Sequence, residues 1–168
     1  VWTGDGSGYA IAQTQPMKLA AVEGYYEGQN GAGLVAVGLL NPEKKTYDDG
    51  QDPFLFRIEI PKMLSLLAER KVDAFVPGIK NIIEGGYELK DGTKALSAAE
   101  KIEKGKKAIA ALATYRTAKK EGDEAAAKEA YTTLQENVPY FGYGYIKDVN
   151  QLVPNVPLNF YAFRVMVI

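Results

Sequence analysis

The sequence predicts a mainly α-helical domain of the α+β class, with a long helical hairpin and a small two-stranded antiparallel sheet. Two amphipathic segments separated by a glycine turn, within residues 97–136, predict the hairpin. Two short apolar segments, at 34–40 and 54–60, predict the strands. The length of 168 residues, 46% of them hydrophobic and 24% charged, suits one globular domain.

The first part of the chain is predicted to contain a turn and a helix. The glycine-rich run Thr3–Gly8 (TGDGSG) predicts a turn, and its spacing lacks the dinucleotide-binding pattern G-x-G-x-x-G. Pro16 favours a helix start, because proline at the first helical position loses no hydrogen bond. We expect this helix to run to Glu27 and to end at Gly28.

The two strands are predicted from composition and from alternation. Leu34–Leu40 is apolar and β-branched, and the polar stretch 41–52 is a loop. In the second strand, Phe54–Ile60, one face carries only apolar residues, which predicts a half-buried strand. The residues of this face are Phe54, Phe56, Ile58 and Ile60.

Short helices are expected next, because prolines and glycines mark their ends. Pro61 opens a predicted helix at Lys62–Lys71. A second one covers Ile79–Glu84 and is stopped by the glycines that follow it.

The helical hairpin is predicted from its caps. Ser97 and Glu100 have the spacing of a capping box, behind which a helix runs to Lys119. Gly105 inside this helix is expected to weaken it by roughly 1 kcal/mol. The next helix covers Glu124–Glu136, and the aromatic, glycine-rich run Tyr140–Tyr145 predicts a packed turn.

Charge and missing residue types exclude several classes of function. A net charge of −1, with mostly lysine among the cations, offers no electrostatic basis for binding nucleic acid. The chain has no cysteine and no histidine, so it has no thiolate or imidazole metal ligand and no serine–histidine relay. Acid–base chemistry would fall to Asp, Glu, Lys or Tyr.

The C-terminal run Phe160–Ile168 is nearly all apolar and is interrupted by Arg164. Two interpretations stay open. The run forms a core strand or helix, or it forms the first turns of a membrane helix, which needs about 20 apolar residues to span a bilayer.

Two charges on the helix after Pro16 flank a narrow apolar stripe. At about 100° per residue, Lys18 and Glu23 lie about 140° apart. Leu19, Val22 and Tyr26 lie between them. Both charges suit the solvated edges of an amphipathic helix. They equally suit a site for an amphipathic ring, with an apolar floor, a cation on one side and a carboxylate on the other.

Both ends of the chain resemble subunit I of the cytochrome bd quinol oxidases. The run G-D-x-S-G-Y from Gly4 and the run Q-P-x-K-L-A-A-x-E from Gln15 are similar to the start of its long extracytoplasmic quinol-binding loop, the Q-loop. The run P-L-x-F-x-A-F-R-x-M-V from Pro157 is similar to the beginning of the next membrane helix. Weaker similarity between them is collinear, so the resemblance to a long-type Q-loop spans nearly the whole chain.

The resemblance implies roles for six residues. Lys18 and Glu23 match positions that bind and oxidise quinol, and Asp5 and Arg70 match further quinol-binding positions. Met166 matches the methionine that ligates the low-spin haem b in the full subunit, and Arg164 matches a nearby arginine. Burial under a quinol would raise the pKa of Glu23 and make it a better base.

The resemblance also implies an organisation and a setting. Residues 1–168 would be one Q-loop domain, with a quinol-site segment at 1–33, a helical and β body at 34–157 and the start of a membrane helix at 158–168. This chain alone is expected to hold no cofactor and to be inactive, whereas the complex carries haem b and haem d. The expected partners are ubiquinol or menaquinol, the rest of subunit I, subunit II and the membrane, on the extracytoplasmic (periplasmic) side of the bacterial plasma membrane.

Two other classes of function stay open beside quinol oxidation. The chain could be an extracytoplasmic interaction or scaffold domain without chemistry of its own, in which Lys18 and Glu23 are surface charges. A free soluble enzyme is disfavoured, because the sequence contains no recognisable nucleophile–base pair or metal cluster.

Overall fold

The computed structural model describes the backbone of residues 2–167 and side-chain positions for residues 8–166. Within that range the chain forms two compact units. The first unit comprises the chain up to Ala95 together with the chain from Val153 onward, and the second is Leu96–Leu152. The mainly α class with a small antiparallel sheet is confirmed.

The first unit begins with helix α1 (Trp2–Thr14), so the turn predicted at Thr3–Gly8 is wrong. Glycine and serine are poor helix formers, but the second half of α1 is anchored. Ala12 is buried, and the Gln13 side-chain amide donates to the Ala68 carbonyl at 2.6 Å. Tertiary contacts therefore override the local preference.

Helix α2 (Pro16–Glu23) begins at Pro16 as predicted but ends four residues before Glu27. Gly24 adopts a left-handed conformation, with φ 64°, and closes the helix. A Cβ on Gly24 would lie 2.9 Å from the Phe54 ring, so the close approach of that ring also requires glycine here.

Two small sheets follow. Strand β1 (Gln29–Asn30) pairs with β4 (Phe75–Val76), and β2 (Leu34–Leu40) pairs with β3 (Phe54–Ile60), both antiparallel. The boundaries predicted for β2 and β3 are confirmed.

The prediction that Phe54, Phe56, Ile58 and Ile60 share one buried face is wrong. Phe54 is buried, but the other three side chains are exposed. The β2–β3 register shifts between Val35 and Val37 and again between Leu39 and Leu40. Such bulges insert an unpaired residue and turn the following side chains to the other face, so simple alternation fails across them.

The short helices lie where the prolines and glycines predict. Helix α3 covers Met63–Glu69, shorter than predicted, because Lys62 and Arg70 at its two ends have positive φ values of 63° and 57°. Helix α4 covers Ile79–Glu84 as predicted.

The second unit is a helical hairpin. Helix α5 (Ala98–Glu121) begins with the predicted Ser97–Glu100 capping box, and α6 (Glu124–Asn137) packs against it. The run Tyr140–Tyr145 belongs to a 3₁₀ segment, Val138–Tyr145, that also packs on α5.

The first unit ends with helix α7 (Val156–Val167), which selects a helix over a strand for the C-terminal run. Phe160 is fully buried, whereas Leu158, Val165 and Met166 are exposed. No helix in the described part of the chain is both long and apolar enough to cross a membrane.

Candidate functional site

Glu23 is a buried carboxylate at the C-terminal end of α2. Glu23 is only 3% exposed, and its Oε2 accepts a hydrogen bond from Nη2 of Arg164 on α7 at 3.2 Å. The two residues lie 141 positions apart in the chain. The fold therefore brings the predicted proton-accepting residue to the helix that carries Met166.

Arg164 joins three elements around this carboxylate. Nη1 donates to the carbonyl of Val22 at 2.8 Å and to that of Phe160 at 3.2 Å, and Nη2 donates to the carbonyl of Val35 at 2.8 Å. The guanidinium lies 3.5 Å from the centroid of the Phe160 ring. We call this set, Glu23, Arg164, Phe160 and the carbonyls of Val22 and Val35, the Arg164 junction.

Burial and the neighbouring positive charge shift the pKa of Glu23 in opposite directions. Burial raises the pKa of the Glu23 carboxyl and outweighs the opposing effect of the Arg164 charge and its hydrogen bond. The direction matches the one expected from the sequence, but the burying group is the protein itself. Glu23 is thus held in a setting that favours its protonation more than water does.

Lys18 lies on the opposite edge of α2 and is exposed. Its ammonium has no ion-pair or hydrogen-bond partner among residues 8–166. Between the two charges, Leu19 and Val22 are half-buried. The structure thus separates the predicted pair into a free surface cation and an inward carboxylate on one short helix.

Arg70 is placed by an aromatic contact, since its guanidinium lies 5.1 Å from the centroid of the Tyr9 ring. Arg70 is exposed at the end of α3. Within residues 8–166, no hydrogen bond or ion pair of Glu23 or Lys18 involves Arg70. The Asp5 side chain, also predicted to bind quinol, lies outside the described side chains.

A cavity of about 560 Å³ lies beside α2, within the range typical of small-molecule sites. Leu19 forms part of its wall together with aromatic and charged side chains. Lys90 lies in the cavity wall. Its Nζ forms an ion pair with Glu69 Oε2 at 2.7 Å and donates a hydrogen bond to the Tyr9 hydroxyl at 3.1 Å. Phe75 and Tyr87 are among its other wall residues.

Met166 is 75% exposed, two residues after Arg164 on α7. Two residues correspond to about 200° around a helix, so Met166 points away from the junction. Its thioether sulfur is accessible, and a thioether is a donor that haem iron accepts. Arg164 Nε is buried at the junction without a hydrogen-bond partner in the described structure, on the side of α7 away from Met166. Of these two residues, only Met166 offers a surface donor that fits a haem iron.

Sequence reasoning missed three members of this site. The Phe160 ring stacks on the Arg164 guanidinium. The Tyr161 hydroxyl accepts a hydrogen bond from the Leu40 amide at 3.0 Å. Tyr9 lines the cavity, and its ring also contacts the Arg70 guanidinium. The four-residue spacing of Phe160 and Arg164 was the available signal, because such residues share one helix face. The contacts of β2 with α7 had no signal in the sequence.

Comparison with known proteins places this chain in a membrane oxidase family. The family profile described as cytochrome bd terminal oxidase subunit I matches residues 1–168, and the chain belongs to that family. Subunit 1 of the cytochrome bd-II ubiquinol oxidase of Escherichia coli K12 is 30% identical, over 98% of this chain and 30% of that protein. The solved bd oxidase of Geobacillus thermodenitrificans is 23% identical over 98% of this chain and 32% of its own, with a TM-score of 0.39. The chain thus spans about a third of the length of these relatives.

Proposed function

We propose that this chain is the extracytoplasmic quinol-binding and quinol-oxidising part of a cytochrome bd-type oxidase subunit I. In the complex it would pass electrons to low-spin haem b for the reduction of oxygen to water. The observation that carries the proposal is the Arg164 junction, which bonds Glu23 to the helix that carries Met166. The Escherichia coli relative is a ubiquinol oxidase subunit, which supports the substrate class.

Glu23 is assigned the role of proton acceptor. Oxidation of a quinol releases two protons with two electrons, and a carboxylate near one hydroxyl takes up a proton and passes it to water. The raised pKa of Glu23 moves it toward the range in which such transfer works near neutral pH. Because Arg164 occupies Oε2, the Glu23 carboxylate takes up the proton on its other oxygen or after this bond opens.

Lys18 is assigned to the quinol oxygen on the edge of the ring opposite Glu23. Its exposed ammonium donates hydrogen bonds and stabilises negative charge on a quinol oxygen as the proton leaves. Leu19 and Val22, half-buried between the two charges, supply the apolar surface on which an aromatic ring lies. Arg70 and Asp5 remain proposed quinol-binding residues.

Met166 is assigned to haem b in the full subunit, and Arg164, two residues before it on α7, holds the junction on the other side of this helix. When bound, the haem supplies an electron acceptor. The residues of this chain position the quinol and hold the buried Glu23 carboxylate against α7. The proposed partners are ubiquinol or menaquinol, the remainder of subunit I, subunit II and the membrane, with haem b and haem d as the cofactors of the complex.

The test uses the intact oxidase. We expect Lys18→Ala and Glu23→Gln to lower oxygen consumption with quinol at least 10-fold and to preserve the rate with an artificial donor that bypasses the quinol site. Lys119→Ala, an exposed lysine on α5, is the matched control and should leave both rates unchanged. Survival of the quinol rate in both variants would remove the proposal.

A non-catalytic interaction domain is the second candidate function. The exposed apolar side chains of β2 and β3 favour it, because such patches mark interaction surfaces. Under this alternative both variants keep the quinol rate, and only the stability of the complex changes.

A further inference from the structure

One face of the β2–β3 sheet is apolar and open. Its large side chains pair across the strands, Val37 with Ile58 and Leu39 with Phe56, and Ile60 continues the row. Each is between 42% and 57% exposed, and none of the five carries a polar group. We call these five residues the outer sheet face.

The opposite face of the same sheet is packed. Val35, Leu40 and Phe54 are buried, and a Cβ on Gly38 would meet the Phe160 ring at 3.0 Å. Helix α7 also binds β2 through hydrogen bonds from Arg164 to the Val35 carbonyl and from the Leu40 amide to the Tyr161 hydroxyl. The sheet is therefore fixed to α7, and its outer face is a rigid surface.

The geometry argues against lipid as the occupant of this face. Strand β3 pairs only with β2 in the described structure, so its other edge leaves backbone groups unpaired. Open sheet edges are not found against the hydrocarbon of a bilayer, because nothing there satisfies those groups. A protein surface supplies apolar contacts and backbone partners together.

The size of the face argues against a second copy. Even an aromatic side chain buries at most ~250 Å², and five half-exposed side chains offer well below the ~800 Å² per partner of a standard interface. Such an area suffices for a segment of the same polypeptide, because covalent linkage raises its effective concentration. The matched region covers 30% of the Escherichia coli relative, so in the proposed full-length subunit most of the polypeptide lies outside this chain and supplies that segment.

We propose that the outer sheet face is a docking surface for an apolar segment of the same full-length subunit, outside residues 1–168. The segment covers Phe56 and Ile58 and fixes the sheet, and with it the Arg164 junction, against the rest of the subunit. This inference does not rest on quinol oxidation, so its outcome is independent of the rate measurements.

The test places a photo-crosslinking phenylalanine, p-benzoylphenylalanine, at Phe56 in the intact complex. The control carries the same amino acid at Tyr145, an exposed aromatic residue of the second unit. After illumination, mass spectrometry should find the peptide of residue 56 joined to a peptide of the same subunit from outside residues 1–168. Crosslinks from residue 56 to lipid, to another subunit or to a second copy would overturn the proposal.

A second measurement covers the case in which that variant does not assemble. Ile58→Cys, in an otherwise cysteine-free subunit, should react with a maleimide at least 10-fold more slowly in the intact complex than Lys119→Cys, which is exposed on α5. Both sites should react equally after denaturation. Equal rates in the intact complex would show that Ile58 is open to water and would reject the proposal.

Discussion

At the scale of single residues, the Arg164 junction is the feature that most constrains function. A buried ion pair contributes little stability relative to a well-packed apolar pair, because desolvation of both charges offsets their attraction. Removal of one partner is costly, because the other stays buried and uncompensated. The buried Glu23–Arg164 pair is therefore expected to contribute little net stability, although loss of either partner is costly.

Loss of the arginine should reveal this asymmetry. Arg164→Met leaves the Glu23 carboxylate and the Val35 carbonyl without their donor, and we expect a loss of about 3–5 kcal/mol in the free energy of unfolding. Arg57→Met is the matched control, because the side chains of the Arg57–Glu59 pair, at 3.1 Å, are 45% and 26% exposed, against 15% and 4% for Arg164 and Glu23. There the loss should stay within about 1 kcal/mol. Chemical denaturation of both variants measures the difference, and equal losses would contradict the asymmetry.

The raised pKa of Glu23 predicts a pH dependence of stability. Between the ordinary pKa of 4.5 and the raised value, the folded chain binds more protons than the unfolded chain. The contribution of Glu23 to the free energy of unfolding is therefore fully present below pH 4.5 and is lost as the pH rises through the raised pKa. Chemical denaturation at a series of pH values from 4.5 upward should show that the free energy of unfolding of Glu23→Gln lacks this decrease. A variant with an unchanged pH profile would mean that Glu23 is not the group concerned.

At the scale of elements, glycines and bulges decide the packing. Gly105 was expected only to weaken α5, but a Cβ there would overlap the backbone nitrogen of Gly144 and lie 2.5 Å from the Tyr140 carbonyl oxygen. Gly105 is thus required where the 3₁₀ segment crosses the helix. The helix propensity lost at this position is offset by packing that no larger residue allows.

Two glycine substitutions separate propensity from packing. Gly105→Ala should lower the free energy of unfolding by about 1–3 kcal/mol, because overlap with the Gly144 backbone outweighs the gain in helix propensity. Gly142→Ala, in the same 3₁₀ segment, meets no atom within 4 Å and should change stability by less than about 0.5 kcal/mol. Thermal or chemical denaturation compares them. A stabilising Gly105→Ala would show that the segment does not lie on α5.

At the scale of the whole molecule, the chain forms two compact units within one family match. The division into segments 1–33, 34–157 and 158–168 follows the proposed function and stays a prediction. The structural division is different, because the second unit is continuous in sequence from Leu96 to Leu152 whereas the first contains both ends of the chain. The second unit is also built mainly on buried alanines, including Ala108, Ala111 and Ala127.

Residues 96–152 are therefore expected to fold as a separate piece with low stability. The capping box, the hairpin turn and the Gly105 contact all lie within this range. Cores of this size rarely supply more than about 3–5 kcal/mol, and alanine buries little area, so the free energy of unfolding should fall at or below that range. Circular dichroism of the isolated piece, with a urea titration, measures both helicity and stability. An unfolded spectrum near 10 °C would show that the unit depends on the rest of the chain.

The sequence by itself determined the elements whose signals are local. Proline at position 16, the Ser97–Glu100 box and the glycines after α4 set helix ends, and the β-branched and apolar runs set β2 and β3. The motifs at both ends also indicated the family that the profile match confirms. These features depend on short-range geometry or on residue identity, so the sequence alone predicts them.

Only the tertiary structure decided where those elements meet. It turned Thr3–Gly8 into helix and ended α2 at Gly24 beneath Phe54. A bulge at Leu55 also placed Phe56 and Ile58 on the face opposite Phe54. The tertiary structure also joined Glu23 to Arg164 across 141 positions and left Lys18 at the surface. The physical reason is common to these outcomes, because burial and long-range hydrogen bonds contribute as much free energy as local propensity, and no pattern along the chain records which distant residues supply them.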